Sequence, residues 1–346
     1  MIRKRSTPTL HDVAAAANVS TATVSRCLNS PNQVAEITRV IVSRAINDLG
    51  YSPNFGAKAM AARRTNTIGA IIPTMENAIF ARGLQAFQDE LRCHGFTMLV
   101  ASTSYCPKIE EEQIRSLVAR GADALLLIGH ERNPQIYRFL ETQGVPVVVT
   151  WAFTPGSERP SIGFDNRAAI YEMATEVIKL GHRQLALISA ETAMNDRAMA
   201  RHAGIQGAMA DAGLNPNNLR FIETTYNIED GAQVFEEFMQ SPVPPTAIFC
   251  GNDVLAVGAV RRARELNISV PDEVSIIGFD DIELAQIVYP ALTTVHVPHR
   301  EMGRRAAIAL AHLVKNGTPI EAIELQARLV FRDTLGPART APLLKR

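Results

Sequence analysis

The residues best equipped for chemistry outside the protein are Ser20-Thr21-Ala22-Thr23 and, one helical turn further on, Arg26. Small hydroxyl residues at a helix start satisfy its orphaned N–H groups. The arginine adds a planar fork of donors. Such a helix suits entry, N-terminus first, into a DNA major groove. Covalent chemistry lacks comparable sequence support. There is no G-x-G-x-x-G, G-x-x-x-x-G-K-[ST], G-x-S-x-G or H-E-x-x-H. Cys27, Cys93, Cys106 and Cys250 are scattered, with no C-x-x-C pair and no histidine at ligand spacing. They read as reduced thiols, and no catalytic residue, metal site or cofactor is expected.

The DNA-facing residues require a helix pair to hold them. Thr9 with Asp12 is an acidic variant of the capping box and starts a first helix that runs to about Ala17. Asn18 and Val19 make the turn, and Ser20 caps a second helix to about Asn29. Val24 and Leu28 then face inward with Val13 and Ala16. After the break at Ser30-Pro31-Asn32, a third helix from about Ala35 to Leu49 is expected. It would present Ile37, Val40, Ile41, Ala45 and Leu49 to the same core, with Gly50 closing it. A plain three-helix bundle has this shape too, but charge favours the DNA reading. Residues 1–64 hold nine basic and three acidic side chains, a balance of +6, and the other 282 residues hold 26 and 32, a balance of −6. A cationic head on an anionic body is the footprint of a nucleic-acid-binding domain joined to something else. In residues 51–65 a short helix from about Phe55 to Arg63 puts Ala57, Met60 and Ala61 on one face, beside Lys58. It reads equally as a helix that folds on DNA and wedges into the minor groove or as a flexible basic linker.

From Thr67 onward short apolar runs alternate with amphipathic stretches. Strands are expected at 68–73, 97–101, 124–128, 146–150, 185–189, 247–250 and 274–279. Helices are expected near 79–94, 109–120, 134–143, 166–180, 198–212, 228–240 and 253–266. Such alternation predicts parallel sheets wrapped by helices. A break near Ile162–Asp165 divides them into two lobes, with a cleft at the carboxyl ends of the strands, where open α/β sheets bind ligands. The chain has no run of about 18 uncharged apolar residues, so no membrane helix is expected. Asp12 and the polar 18–23 stretch interrupt what would be a signal-peptide core, so a cytoplasmic, nucleoid-associated protein is expected.

The run TLHDVAAAANVSTATVSRCLN, then VAEITR, LGYSPN and the alanine-rich segment after it, resembles the DNA-binding head of the LacI/GalR family of bacterial transcription regulators. GFDN (163–166), LGHRQLALIS (180–189), GNDVLAVGAV (251–260) and VPDEVSIIGFDD (270–281) extend the resemblance through the body, which shares its fold with type I periplasmic sugar-binding proteins. The resemblance implies a helix-turn-helix domain (1–52), a hinge helix or linker (53–66) and a first lobe made of 67–164 and 295–324. It implies a second lobe made of 165–294 and 325–335, followed by a loose tail (336–346). By motif position it assigns base reading to Thr21, Ala22 and Arg26, and phosphate contacts to Thr9, Ser20, Thr23, Ser25 and Asn29. Minor-groove contacts fall to Ala57, Lys58, Met60 and Ala61, with Met60 where the family usually has a leucine.

Effector binding falls by the same resemblance to Phe80, Trp151, Arg201, Asn252 and Asp280. Each has a plainer reading: Asn252 as a helix cap, Asp280 with Asp281 as a solvated turn, and Phe80 as core. Trp151 stands where many sugar-binding members carry an aspartate, and Arg197, His130 and His202 are further sources of positive charge. The implied function is a ligand-responsive regulator, a repressor that binds a near-palindromic operator as a homodimer. Its effector is expected to be a sugar acid, as in the gluconate-repressor branch, before a neutral sugar or a purine. The rival classes are a free-standing sugar-binding protein and an α/β enzyme.

Overall fold

The computed structural model describes residues 7–52, 64–76 and 78–340. The chain divides into two compact units, Met1–Thr65 and Asn66–Arg346. The segment 53–63, with Ala57, Lys58, Met60 and Ala61, lies outside the described residues.

The first unit contains α1 (Leu10–Ala16), α2 (Thr21–Asn29) and α3 (Glu36–Leu49). The Thr9–Asp12 capping box is formed reciprocally: Thr9 N donates to Asp12 Oδ2 at 2.8 Å and Asp12 N donates to Thr9 Oγ1 at 3.3 Å. Ser20 caps α2 by accepting from Thr23 N, and Gly50 closes α3 in the left-handed region at φ 63°. Val13, Ala14, Ala17, Val24, Val42 and Ala45 form the core. Two expectations are corrected here. Ala16 is exposed, and Ala14 and Ala17 take its place. On α3 the buried stripe is Val42 and Ala45 with Ile46 beside it, and Ile37, Val40 and Ile41 lie on the outer side. An apolar count along α3 does not distinguish the two sides. The direction from which α1 packs chooses between them.

The second unit is built on two parallel sheets. The first holds β1 (Thr67–Ile72), β2 (Thr97–Ser102), β3 (Ala124–Ile128), β4 (Val147–Thr150), β5 (Ser161–Gly163) and the later β11 (Ile323–Glu324), in the order β11-β5-β4-β3-β1-β2. The second holds β6 (Leu185–Ser189), β7 (Arg220–Glu223), β8 (Ala247–Cys250) and β9 (Ser275–Ile277), in the order β7-β6-β8-β9. β1, β3 and β6 are buried along their full length, as strands covered on both faces must be. Each sheet reverses strand order beside its first strand, and such switch points open a crevice at the carboxyl ends. The break expected near Ile162–Asp165 falls just after β5, an unforeseen strand that pairs with β4 and β11 and ends the first run of strands. Three residues are too few to show a periodicity.

The helices of the first lobe are α4 (Ala78–Cys93), α5 (Pro107–Ala119) and α6 (Pro134–Gln143). Those of the second are α7 (Asn166–Lys179), α8 (Asp196–Asp211), α9 (Ile228–Gln240), α10 (Asp253–Glu265) and the short α11 (Glu283–Ile287). After β10 (Thr294–His296) the chain returns to the first lobe as α12 (His299–Asn316), which packs on α4. That packing is close: a Cβ on Gly303 would stand 2.0 Å from the Gly83 carbonyl oxygen. β12 (Arg328–Val330) pairs antiparallel with β10, and Thr334 Oγ1 donates to Ile276 O at 2.7 Å in the second lobe. Residues 336–340, expected as the start of a loose tail, are tied down. Ala338 N donates to Leu180 O at 3.0 Å, and His182 Nε2 sits 2.9 Å from Gly336 O.

Candidate DNA-binding face and inter-lobe cleft

On α2, Thr21, Ala22, Arg26 and Asn29 are exposed, whereas Val24 is fully buried. Positions 22, 26 and 29 recur at helical spacing, so the side opposite the core carries them together. The other polar residues are already engaged locally. Ser20 Oγ and Thr23 Oγ1 are 2.9 Å apart, Asn29 Nδ2 donates to Ser25 Oγ at 3.3 Å, and Thr9 Oγ1 donates to Asp12 Oδ2 at 2.7 Å. These bonds fix side-chain directions.

In the second unit, the loops after successive strands converge between the two sheets. From the first lobe come Phe80 on α4, Tyr105 after β2 and Trp151 directly after β4. From the second lobe come Arg201 on α8, Tyr226 after β7, Asn252 after β8 and Asp280 after β9. All seven line one inner pocket with Asn166, Asn195 and Arg197. Its free volume is about 30 Å³, room for roughly one water. It adjoins an outer cavity of about 450 Å³, and Tyr105, Asn195, Arg197 and Tyr226 belong to both.

The inner pocket is rich in donors. Arg201 Nη1 donates to Asn166 Oδ1 at 2.7 Å and Nη2 to the Tyr226 hydroxyl at 2.9 Å. Its guanidinium lies 4.8 Å from the Phe279 ring centre, and its buried Nε has no partner. Asn252 Oδ1 accepts from Leu255 N at 2.9 Å and caps α10, while its buried Nδ2 has no partner. The cap and a free donor therefore coexist in one side chain. The Trp151 ring is held between Phe80 (5.5 Å) and His299 (6.0 Å), with its buried Nε1 unpaired. Unpaired buried donors each cost about 1–3 kcal/mol, and a ligand supplying acceptors recovers that cost.

The acceptor among these donors is Asp280, which is buried and not part of a solvated turn. Burial pushes its carboxyl up to about 7, although Arg201, Arg82 and Arg197 pull the other way. It is held in the left-handed region at φ 106°. The buried Asp253 anchors this loop by accepting from Ile282 N at 2.8 Å and from Thr294 Oγ1 at 2.6 Å. Burial holds the neighbouring His299 down at about 3, and its Nε2 donates to Asp280 O at 3.3 Å. Asp281 points elsewhere, to His296 Nδ1 (2.9 Å) and Arg332 Nη2 (2.6 Å).

Two further expectations are corrected. Burial lowers both His130 and His202, so neither supplies positive charge at neutral pH, and His202 stacks on Phe221 at 4.3 Å. Phe80 belongs both to the core and to the pocket wall. The sequence reading also missed Tyr105, Tyr226 and Asn166. Asn166 ends the GFDN motif, and the two tyrosines lie just beyond apolar runs. The lobes meet around the pocket: Asp196 Oδ2 accepts from His130 N at 2.6 Å, Arg197 Nη1 donates to Ile128 O at 3.2 Å, and Arg82 Nη1 donates to Asp281 O at 3.0 Å.

This arrangement has close counterparts among known proteins. A family model described as "Bacterial regulatory proteins, lacI family" matches residues 9–54, and one described as "Periplasmic binding protein-like domain" matches residues 174–335. The chain is 31% identical over 300 residues to the HTH-type transcriptional regulator GntR of Escherichia coli (strain K12), covering 87% of this chain and 90% of that one. The chain belongs to the lacI family. A LacI family regulator from Silicibacter pomeroyi superposes with a TM-score of 0.86 at 27% identity, covering 95% of this chain and 99% of that one. The lac repressor dimer bound to operator and the anti-inducer ONPF superposes at 0.82 and 25% identity, covering 94% and 98%. Membership makes this chain a DNA-binding transcriptional regulator, and its relatives are regulators, not enzymes. No helix among the described residues is long and apolar enough to cross a membrane.

Proposed function

We propose that this lacI-family member is a repressor that binds a near-palindromic operator as a homodimer and responds to a sugar acid held between its lobes. Thr21, Ala22 and Arg26 read bases, with hydrogen bonding from Thr21 and Arg26 and only apolar contact from Ala22. Thr9, Ser20, Thr23, Ser25 and Asn29 meet phosphates. Ala57, Lys58, Met60 and Ala61 contribute at the minor groove. Pairing of two copies is supported by the operator-bound dimer of the lac repressor and by Ile287 and Tyr289, which are 75% and 82% exposed on the second lobe. A two-fold protein axis requires two half-sites.

The observation that carries the effector class is the set of unpaired donors on Trp151, Arg201 and Asn252 around an Asp280 that is largely protonated below about pH 7. A carboxylate satisfies those donors, and a neutral carboxyl does not repel it. Trp151 is the only tryptophan in the chain and lines the pocket, so its fluorescence reports occupancy. Titration with gluconate-like acids, hexoses and purines should give a saturable change with the acids alone. A response to hexoses with none to any acid contradicts the assignment.

A further inference from the structure

The inner pocket and the outer cavity differ in both size and chemistry. The inner one, with about 30 Å³ free, is walled by donors and suits an acidic head group. The outer one, at about 450 Å³, lies inside the range of roughly 300–1,000 Å³ found for pockets that bury a whole ligand. Its walls offer acceptors and flat faces. Glu131 comes from the first lobe and Glu191 from the second, and neither carboxylate has an ion-pair partner among the described residues. Glu110 also borders the cavity but is occupied by Arg132 at 3.2 Å. The rings of Tyr105 and Tyr226, one from each lobe, stand 5.7 Å apart where the two spaces meet.

We infer that the two spaces are compartments of one site, and that the effector is a two-residue saccharide acid, an aldonic acid carrying one glycosyl unit. Its carboxylate reaches the inner donors beside Tyr105 and Tyr226, and the rest of the acid residue fills the outer cavity together with a neutral glycosyl unit. Resting on the sugar-acid reading above, this extends it to the length of the ligand. A glycosyl ring presents C–H faces to tyrosine rings and hydroxyl donors to carboxylates. One ring bridging Glu131 and Glu191 ties together the two lobes that carry them, which gives the ligand a stake in lobe closure. A one-residue acid satisfies the inner donors and leaves much of the outer cavity in water.

Isothermal titration of the full-length protein tests this with gluconate, maltobionate and cellobionate, the last two being gluconate with an α- or β-linked glucosyl unit. At least one two-residue acid should bind ten-fold or more tighter than gluconate. The exposed-site variant Glu131→Gln/Glu191→Gln should lose that advantage and keep its gluconate affinity within two-fold. Equal or tighter binding of gluconate overturns the second compartment and leaves the acid reading standing. An advantage that survives in the variant overturns the role of the two carboxylates. Binding of neutral maltose or cellobiose with none of any acid overturns the acid reading and, with it, the two-residue acid.

Discussion

Asn252 shows how one side chain serves both fold and function. Its oxygen caps α10 and its buried nitrogen remains free for a ligand. Serine caps helices about as well as asparagine and lacks that nitrogen. Asn252→Ser should therefore leave the thermal midpoint close to the parent's and weaken acid binding roughly ten- to a hundred-fold, the worth of a hydrogen bond to a charged group. Loss of stability without loss of binding contradicts the double role. Asp280 carries the pH dependence. Its native pKa of about 7 lies above its ordinary 3.8, so its protonated form contributes stability fully present below about 3.8 and lost as pH rises through 7. The groups facing it are Arg201, Arg82 and Arg197, with His299 neutral at these pH values. An anionic effector should bind more tightly at pH 6 than at pH 8, and Asp280→Asn should remove that slope. A slope that survives in the variant assigns it to another group.

At the scale of elements, the packing of α4 on α12 decides where Trp151 sits. A Cβ on Gly83 would stand 2.4 Å from the far edge of the indole and 3.2 Å from His299 O. Gly83→Val should destabilise the second unit by about 1–3 kcal/mol in urea unfolding and shift the tryptophan emission. An unchanged emission means that the indole is not held by this helix. Most of these elements were legible in sequence: the buried β3, β6 and β8 fall at their expected bounds, and the expected helices fall within one or two residues of theirs, whereas α11 and the long α12 were not among them. Short strands were not. β5, β7 and β10–β12 hold two to four residues each and, unlike the equally short β8 and β9, do not sit in a longer apolar run. Nor was the side of α3 that packs, because Ile37, Val40 and Ile41 are as apolar as the residues that do. At the site, motif position brought out Trp151, Arg201, Asn252 and Asp280, whereas Tyr105 and Tyr226 come together only through packing of the two lobes.

The whole molecule joins a cationic reader to a two-lobed sensor whose cleft is bridged by protein groups, Asp196 to His130, Arg197 to Ile128 and Arg82 to Asp281. A ligand controls such a molecule only by binding its DNA-competent and DNA-released forms unequally. Arg201 ties the pocket donors together, so it is the residue through which occupancy should act. The most direct test is fluorescence anisotropy of a labelled duplex from the promoter upstream of the protein's own gene, titrated with protein at fixed salt, with and without gluconate or its glucosyl derivatives. The prediction is specific binding that at least one of these acids changes by five-fold or more, and an Arg201→Ala protein that binds the same duplex but no longer responds. Specific binding indifferent to every acid, or an undiminished response in the variant, would contradict the account.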